Sequence, residues 1–132
     1  MNRRSRQRGF TLIELMVVIS IIVILMSVAI PRYQASILRA RETVLRDDLY
    51  TLRSVIDQYT LDKQKAPQSL QDLVEAGYLK QLPIDPFTNN RDSWVPMTDD
   101  SILSPDQSQP GIVDVHSGSE QNSSEGTAYS SW

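Results

Sequence analysis

An almost unbroken apolar stretch from Phe10 to Ile30 limits what this chain can fold into. It is rich in Ile, Val, Leu and Met, and a helix rising about 1.5 Å per residue would span the hydrocarbon core of a bilayer over this length. A basic leader with four arginines precedes the stretch and ends at Gly9, and one ionisable residue, Glu14, lies within it. Because arginine-rich flanks stay in the cytoplasm, the sequence predicts a cytoplasmic leader and a carboxy-terminal part on the far side of the membrane.

Three interpretations of the apolar stretch are open. It could be a plain membrane anchor, or a removable secretory signal with a small-x-small cleavage site at Ser27–Ala29. It could also be a helix that is used first in the membrane and later in a protein assembly. Glu14 favours the third interpretation, because a carboxylate in the hydrocarbon region costs about 3 kcal/mol and usually marks function. The alternative for Glu14 is that its side chain reaches the lipid headgroups from near the end of the stretch.

The segment from Arg8 to Glu14, with the sequence RGFTLIE, resembles the processing site of class III signal peptides. This site is found in type IV pilins and in the pseudopilins of type II secretion. The resemblance implies that a prepilin peptidase cuts between Gly9 and Phe10 and methylates the new amino-terminal Phe10. It also implies that Phe10, Glu14 and Pro31 take part in assembly.

The spacing of Phe10 and Glu14 gives this processing a chemical purpose. Cleavage after Gly9 creates a positively charged amine on Phe10, and in a continuous helix a residue at i+4 lies on the same face. A carboxylate in the first turn is also favoured by the helix dipole. Between subunits, Glu14 of one copy could meet the Phe10 amine of its neighbour, which would select register more than it adds stability.

A second, amphipathic helical segment follows Pro31. The missing N–H of proline predicts a kink or interruption at Ala29–Ile30, with the helix continuing beyond it. Polar and charged residues fill the opposite face and are interpreted as solvated, with a role in subunit contacts as the alternative. The predicted apolar positions recur every three or four residues, at Tyr33, Ile37, Ala40, Val44, Leu45, Leu49, Leu52, Ile56 and Tyr59. The predicted polar face comprises Arg32, Arg39, Arg41, Glu42, Arg46, Asp47, Asp48, Arg53 and Asp57.

The rest of the chain must cover this apolar face. Ser69 and Asp72 predict the start of a short helix by a capping-box pattern, and Gly77 predicts its end. Strands are predicted around Trp94–Val95 and over Gly111–Ser117, and the aromatic residues of the polar tail are expected to dock it. The expected fold is therefore α+β and pilin-like, with a long helix packed on a small antiparallel sheet. The expected parts are the leader 1–9, a transmembrane helix 10–30, an amphipathic helix 31–62 and a periplasmic head 63–132.

The head itself resembles the major, G-type pseudopilins of type II secretion. The resemblance lies in Tyr78-Leu79 followed by Leu82–Phe87, with the sequence LPIDPF, and in a late strand followed by a Ser/Gly-rich loop and a terminal aromatic residue. It implies a single-pass inner-membrane protein with its head in the periplasm, assembled into a short periplasmic homopolymer through its helices. The implied partners are the prepilin peptidase, an inner-membrane assembly platform, minor pseudopilins and membrane lipid.

The resemblance also implies calcium in the C-terminal loop, Ser117–Ser130, where the family uses Asp side chains and backbone carbonyls. This loop contains no Asp, and Glu120 and Glu125 stand near the family's positions. Calcium accepts Glu, Ser and Asn oxygens, although a longer side chain does not occupy the same cage. Two alternatives stay open: a calcium site that includes Glu120 and Glu125, and a metal-free loop held by hydrogen bonds and Trp132.

The composition of the chain argues against other classes of function. The chain has no Cys and one His, His116, and it has neither a nucleophile-elbow nor a phosphate-loop pattern, so no enzyme is expected. Loss of the four leader arginines takes the net charge from −3 to −7, which argues against nucleic acid as a partner. A membrane-tethered binding module that stays single is the alternative from another class, and a type IV pilin is the alternative within the fibre class. Pilin heads often staple the last loop with a Cys pair, which this chain lacks.

Overall fold

The computed structural model describes residues 9–100, 105 and 109–132. Its elements are helix α1 (Leu12–Lys63), helix α2 (Leu70–Glu75), strands β1 (Val95–Asp99) and β2 (Gly111–His116), and a short 3₁₀ helix at Tyr129–Ser131. The chain divides into two compact units that meet in sequence between Ile37 and Leu38.

In the first unit, α1 presents its apolar side chains on all sides. Every large apolar residue from Leu12 to Ile30 is exposed by 45% or more, and the helix is long and apolar enough to cross a membrane. Such an all-round apolar surface matches a lipid or helix-packed environment. Helix α1 continues beyond Pro31, as predicted, and it is not interrupted at Ala29–Ile30. Proline removes one backbone hydrogen bond, and the Gly-free sequence on both sides keeps the helix intact.

In the second unit, α1 buries one face, as its spacing predicts. The buried apolar positions of α1 are Leu45, Leu49, Leu52, Ile56 and Tyr59. Ala40 and Val44 were also expected on this face but are exposed, as are Tyr33 and Ile37 in the first unit. Adjacent helical residues point about 100° apart, and Val44 points away from the buried side of Leu45.

Helix α2 forms where the capping signals predict it. The Ser69 hydroxyl accepts a hydrogen bond from the Asp72 N–H (3.2 Å), and the Asp72 carboxylate accepts one from the Ser69 N–H (3.0 Å). At the other end Gly77 adopts a φ of +82°, the left-handed conformation that glycine allows without strain. These local bonds confirm the predicted capping box and the predicted helix end.

Strands β1 and β2 form a two-stranded antiparallel sheet, which confirms both predicted strands. Val95 pairs with His116 and Pro96 with Val115, and the register shifts between Met97 and Thr98. All of β1 is exposed, whereas the outer edge of β2 is partly covered, because the Ile112 N–H donates to the Pro67 carbonyl (2.8 Å).

One hydrophobic core joins these elements and confirms the α+β architecture. It is formed by the buried face of α1 together with Leu70, Leu73, Trp94, Ile112, Val115 and Tyr129. The sheet approaches the α1–α2 connection closely, since a Cβ on Gly111 would lie 2.3 Å from the Ala66 Cβ. Glycine is therefore required there by contact rather than by backbone conformation.

Candidate functional site

The leader junction lies just outside the amino-terminal end of α1. Gly9 and Phe10 are exposed and non-helical, and the helix begins at Leu12. Thr11 caps it: its hydroxyl accepts a hydrogen bond from the Glu14 N–H (3.3 Å), and its carbonyl accepts one from the Leu15 N–H (3.2 Å). The Gly9–Phe10 peptide bond therefore lies in exposed, irregular backbone, which proteases cut more readily than helix.

The expected placement of Phe10 and Glu14 on one helical face concerns the chain cut after Gly9, so it stays a prediction, since the chain described here is uncut. That placement requires Phe10 to be helical, but Thr11 occupies the cap and Phe10 precedes it with 85% of its surface exposed. Glu14 is exposed in the first turn of α1, where the helix dipole favours its negative charge. Pro31 lies within α1 and is also exposed.

A second group of functional interest holds the C-terminal loop against α1, and its centre is Glu42. The sequence interpretation placed Glu42 on the solvated face, which is wrong, because only 7% of this residue is exposed. Its carboxylate accepts hydrogen bonds from the Ser124 N–H (2.6 Å), the Ser124 hydroxyl (2.7 Å) and the Tyr129 hydroxyl (2.9 Å). The available signal was spacing, since Glu42 precedes buried Leu45 and Leu49 by three and seven positions.

The same contacts determine the protonation states of Glu42 and Tyr129. Burial raises the pKa of Glu42, but the hydrogen bonds from Ser124 and Tyr129 and the charge of Arg46 outweigh it, so the net pKa is lowered. Burial and the adjacent Glu42 carboxylate raise the pKa of Tyr129 to about 12. At neutral pH Glu42 is therefore an ionised acceptor and Tyr129 a protonated donor. Because the folded-state pKa of Glu42 is depressed, its stabilising contribution is lost as the pH falls through that pKa.

Two arginines further along α1 hold the end of the tail. Arg46 lies 3.3 Å from the Glu125 carboxylate and stacks over the Trp132 ring at 4.4 Å. Arg53 donates to the Asp114 carboxylate (2.6 Å), to the Val115 carbonyl (3.0 Å) and to the Trp132 main-chain oxygen. The predicted docking of the tail is thus confirmed, and Arg53, half-buried, is not simply a member of a solvated face.

The motif residue Asp85 ties the Leu82–Phe87 segment to the start of the C-terminal loop. Asp85 is fully buried, and one carboxylate oxygen accepts hydrogen bonds from the Phe87 N–H (2.8 Å) and the Thr88 N–H (3.3 Å). The other oxygen accepts from the Ser117 hydroxyl. The Phe87 ring stacks on Tyr129 with centroids 3.9 Å apart. The motif was noted in the sequence for its family resemblance alone, and the structure gives it a packing role.

The two glutamates of the calcium prediction are both exposed. Glu125 pairs with Arg46, an exposed pair that contributes about 0–1 kcal/mol, and Glu120 lies on the surface. Within the described ranges, no three His, Cys, Asp or Glu residues are grouped so as to hold a metal ion. The donor set that the structure presents at this loop therefore does not fit a calcium cage, which needs six to eight oxygen ligands.

His116, the one histidine, does not belong to a recognisable catalytic arrangement in the part of the chain that the structure describes. Its Nε2 lies 3.7 Å from the Asp114 carboxylate, which is already bound by Arg53, and its Nδ1 is buried without a hydrogen-bond partner. A general base needs a nucleophile or substrate proton within hydrogen-bond reach. His116 ends strand β2 and lies beside the Arg53–Asp114 pair.

The docked tail carries a first prediction: Trp132→Ala should lower the free energy of unfolding of the second unit by about 2–3 kcal/mol. The change removes the edge-to-face contact with Tyr129 (5.1 Å), the stacking under Arg46 and the hydrogen bond from Nε1 to the Thr127 hydroxyl (2.8 Å). Urea unfolding of the full chain in detergent, followed by circular dichroism, measures it. Trp132→Phe keeps a ring and should recover part of the loss, and equal stability of all three proteins would contradict the docking.

Two comparisons with known proteins agree with this geometry. Residues 4–30 match the family model described as the prokaryotic N-terminal methylation motif, so the leader junction and the exposed apolar helix place the chain in the class of proteins that carry this motif. Type II secretion system core protein G of Escherichia coli strain K12 is 37% identical, with 68% of this chain and 73% of that protein covered. Its counterpart in Klebsiella pneumoniae is 36% identical, with 86% and 84% covered. The chain belongs to the type II secretion system core protein G family. No solved structure matches it significantly.

Proposed function

We propose that the protein is the structural subunit of a periplasmic pseudopilus that polymerises through its N-terminal helix to drive export by a type II secretion system. The observation that carries this proposal is the leader junction, where an exposed Gly9–Phe10 bond precedes a capped apolar helix with Glu14 in its first turn. Family membership supports the same role. The subunit is non-catalytic, since its contribution is a surface that packs against copies of itself.

In this proposal helix α1 occupies two environments in succession. Before cleavage, α1 crosses the inner membrane once, with the leader in the cytoplasm and the head in the periplasm. The all-round exposure of the apolar side chains from Leu12 to Ile30 suits lipid at this stage and neighbouring helices later. The partners are the prepilin peptidase, the inner-membrane assembly platform, minor pseudopilins and further copies of the chain.

Processing gives the direct test. Mass spectrometry of the mature protein is expected to find an amino terminus at Phe10 carrying a methylated amine. Gly9→Val should reduce cleavage to a small fraction of that of the parent, because a β-branched side chain crowds the scissile bond and stiffens the backbone beside it. Gly9→Ala, which adds only a methyl group, serves as the matched comparison and should be cut better than Gly9→Val.

Two results would contradict this assignment. A mature protein that begins at Ile30 would support an ordinary secretory signal, with the apolar stretch discarded. A mature protein that keeps its leader in a cell with an active prepilin peptidase would support the interpretation of the apolar stretch as a plain membrane anchor.

A further inference from the structure

The inner side of the C-terminal loop presents hydrogen-bond donors. The Ser124 N–H, the Ser124 hydroxyl and the Tyr129 hydroxyl all point their protons at the Glu42 carboxylate, at distances of 2.6–2.9 Å. A calcium site requires the opposite polarity, with oxygen acceptors converging on a cation. This loop is therefore shaped around an anion that helix α1 supplies.

The Ser123 and Thr127 oxygens of the loop are engaged in hydrogen bonds within it. The Ser123 hydroxyl accepts from the Glu125 N–H (3.2 Å) and the Thr127 N–H (3.2 Å) and shares a hydrogen bond with the Thr127 hydroxyl (2.9 Å). The Thr127 and Ser123 carbonyls accept from the Ser123 and Gly126 N–H groups. These bonds close the turn on itself through groups of the chain alone.

The positive charge beside the loop is supplied by Arg46 of helix α1. Arg46 lowers the pKa of Glu42 through its charge and also lies 3.3 Å from the Glu125 carboxylate. A divalent cation bound at Glu125 would have to displace this guanidinium or lie beside it, and like charges at that distance repel. Glu42, Arg46, Glu125 and the loop donors therefore form one network that is built from the chain's own groups.

We propose that Glu42 holds the C-terminal loop in the place of a metal ion, so that the loop Ser123–Tyr129 is fastened to α1 by a buried carboxylate and folds without calcium. The inference goes beyond the fibre role, because it names a fastening residue that lies on the helix and outside the loop. It also makes the last loop of the head move together with α1, since the hydrogen bonds join residues 82 and 87 positions apart in the chain.

The first test is the response to metal. Thermal unfolding of the full chain in detergent should give the same midpoint in excess calcium and in excess chelator, because a ligand raises the midpoint only if the folded state binds it. A higher midpoint in calcium that disappears in Glu120→Gln or Glu125→Gln would show a calcium site in the loop and overturn the proposal.

The second test separates Glu42 from general destabilisation. Hydrogen exchange of the loop amides, the Ser124 amide above all, should accelerate at least about tenfold in Glu42→Gln, because opening of a local segment is governed by its own hydrogen bonds. The amide oxygen of Gln accepts, but its NH₂ group faces donors and cannot. Amides in α2 should keep their protection, since the capping box of that helix does not involve Glu42.

Asp47→Asn is the matched control, because Asp47 is an exposed acid on the same helix. It should leave the exchange of the loop unchanged. Ser124→Ala removes the hydroxyl donor but keeps the backbone donor, so its effect should be intermediate. Loop exchange in Glu42→Gln equal to that of the parent would refute the fastening role whatever the metal response.

Discussion

Glu14→Ala is expected to be inserted in the membrane and cut after Gly9 like the parent, and yet to fail to assemble efficiently. In the assembled state we expect Glu14 of an incoming subunit to pair with the Phe10 amine of the subunit already in place. Removing one partner of a buried ion pair leaves the other charge uncompensated and costs about 3–5 kcal/mol. Glu14→Gln should behave similarly, because the amide keeps the shape of the side chain but not its charge.

The described junction explains why cleavage must come first in this scheme. With the leader attached, the Phe10 nitrogen is an amide in irregular backbone before the Thr11 cap, and it carries no charge for Glu14 to meet. Cleavage removes the four arginines of the leader and leaves a cationic amine on Phe10. Contact then neutralises both charges, and two apolar helices can pack together without a charged group in lipid.

In-cell crosslinking measures this prediction directly. Cysteines introduced at Ile19 and Val23, which are 52% and 60% exposed, should crosslink neighbouring parental helices into multimers. Gly9→Val, which lacks the Phe10 amine, should crosslink as poorly as Glu14→Ala. Multimers at the parental level from Glu14→Ala would show that the charge pair does not recruit subunits. Efficient crosslinking of uncut Gly9→Val would show that the Phe10 amine is not needed for assembly.

The largest loss of stability is expected for Asp85→Ala, at about 3–5 kcal/mol, because each buried donor left without an acceptor costs about 1–3 kcal/mol. Three donors lose their acceptor: the Phe87 N–H, the Thr88 N–H and the Ser117 hydroxyl. Asp85→Asn keeps one acceptor oxygen for the two N–H groups and should lose about half as much. Urea unfolding of the full chain in detergent gives the free energies.

Asp92→Ala provides the control for this measurement, since Asp92 is exposed in the same connection. Its free energy of unfolding should lie within about 0.5 kcal/mol of the parent. A loss below about 1 kcal/mol in Asp85→Ala would mean that water or a rearranged turn satisfies these donors.

The features that were predictable from the sequence are those determined by neighbouring residues. The cap of α2 depends on Ser69 and Asp72, which are three positions apart, and the end of that helix depends on Gly77. The apolar spacing of the second half of α1 is likewise a local pattern, whereas β2 does not alternate in burial, because Ile112 and Val115 are both buried. The leader junction was recognisable because its residues form one continuous motif.

The features that the sequence did not reveal depend on contacts across the chain. Glu42 looks like one more charge in a mixed run until the Ser124 donors, 82 positions away, are brought to it. Asp85 gains its role from Ser117, 32 positions away. The position of Phe10 before the cap of the uncut chain was not predictable for a different reason, since a continuous apolar stretch does not tell which of its first residues becomes the cap.

The open edge of the sheet bears on how these subunits tolerate crowding. From Val95 to Thr98 strand β1 is exposed, and β2 is its one strand partner among the described residues; an open strand edge is a template for pairing with another molecule. Pro96, the second residue of this strand, has no N–H to donate to such a partner. Heads held side by side at high local concentration are therefore expected to resist strand-to-strand aggregation, and a Pro96→Val variant should form amyloid-like deposits more readily than the parent.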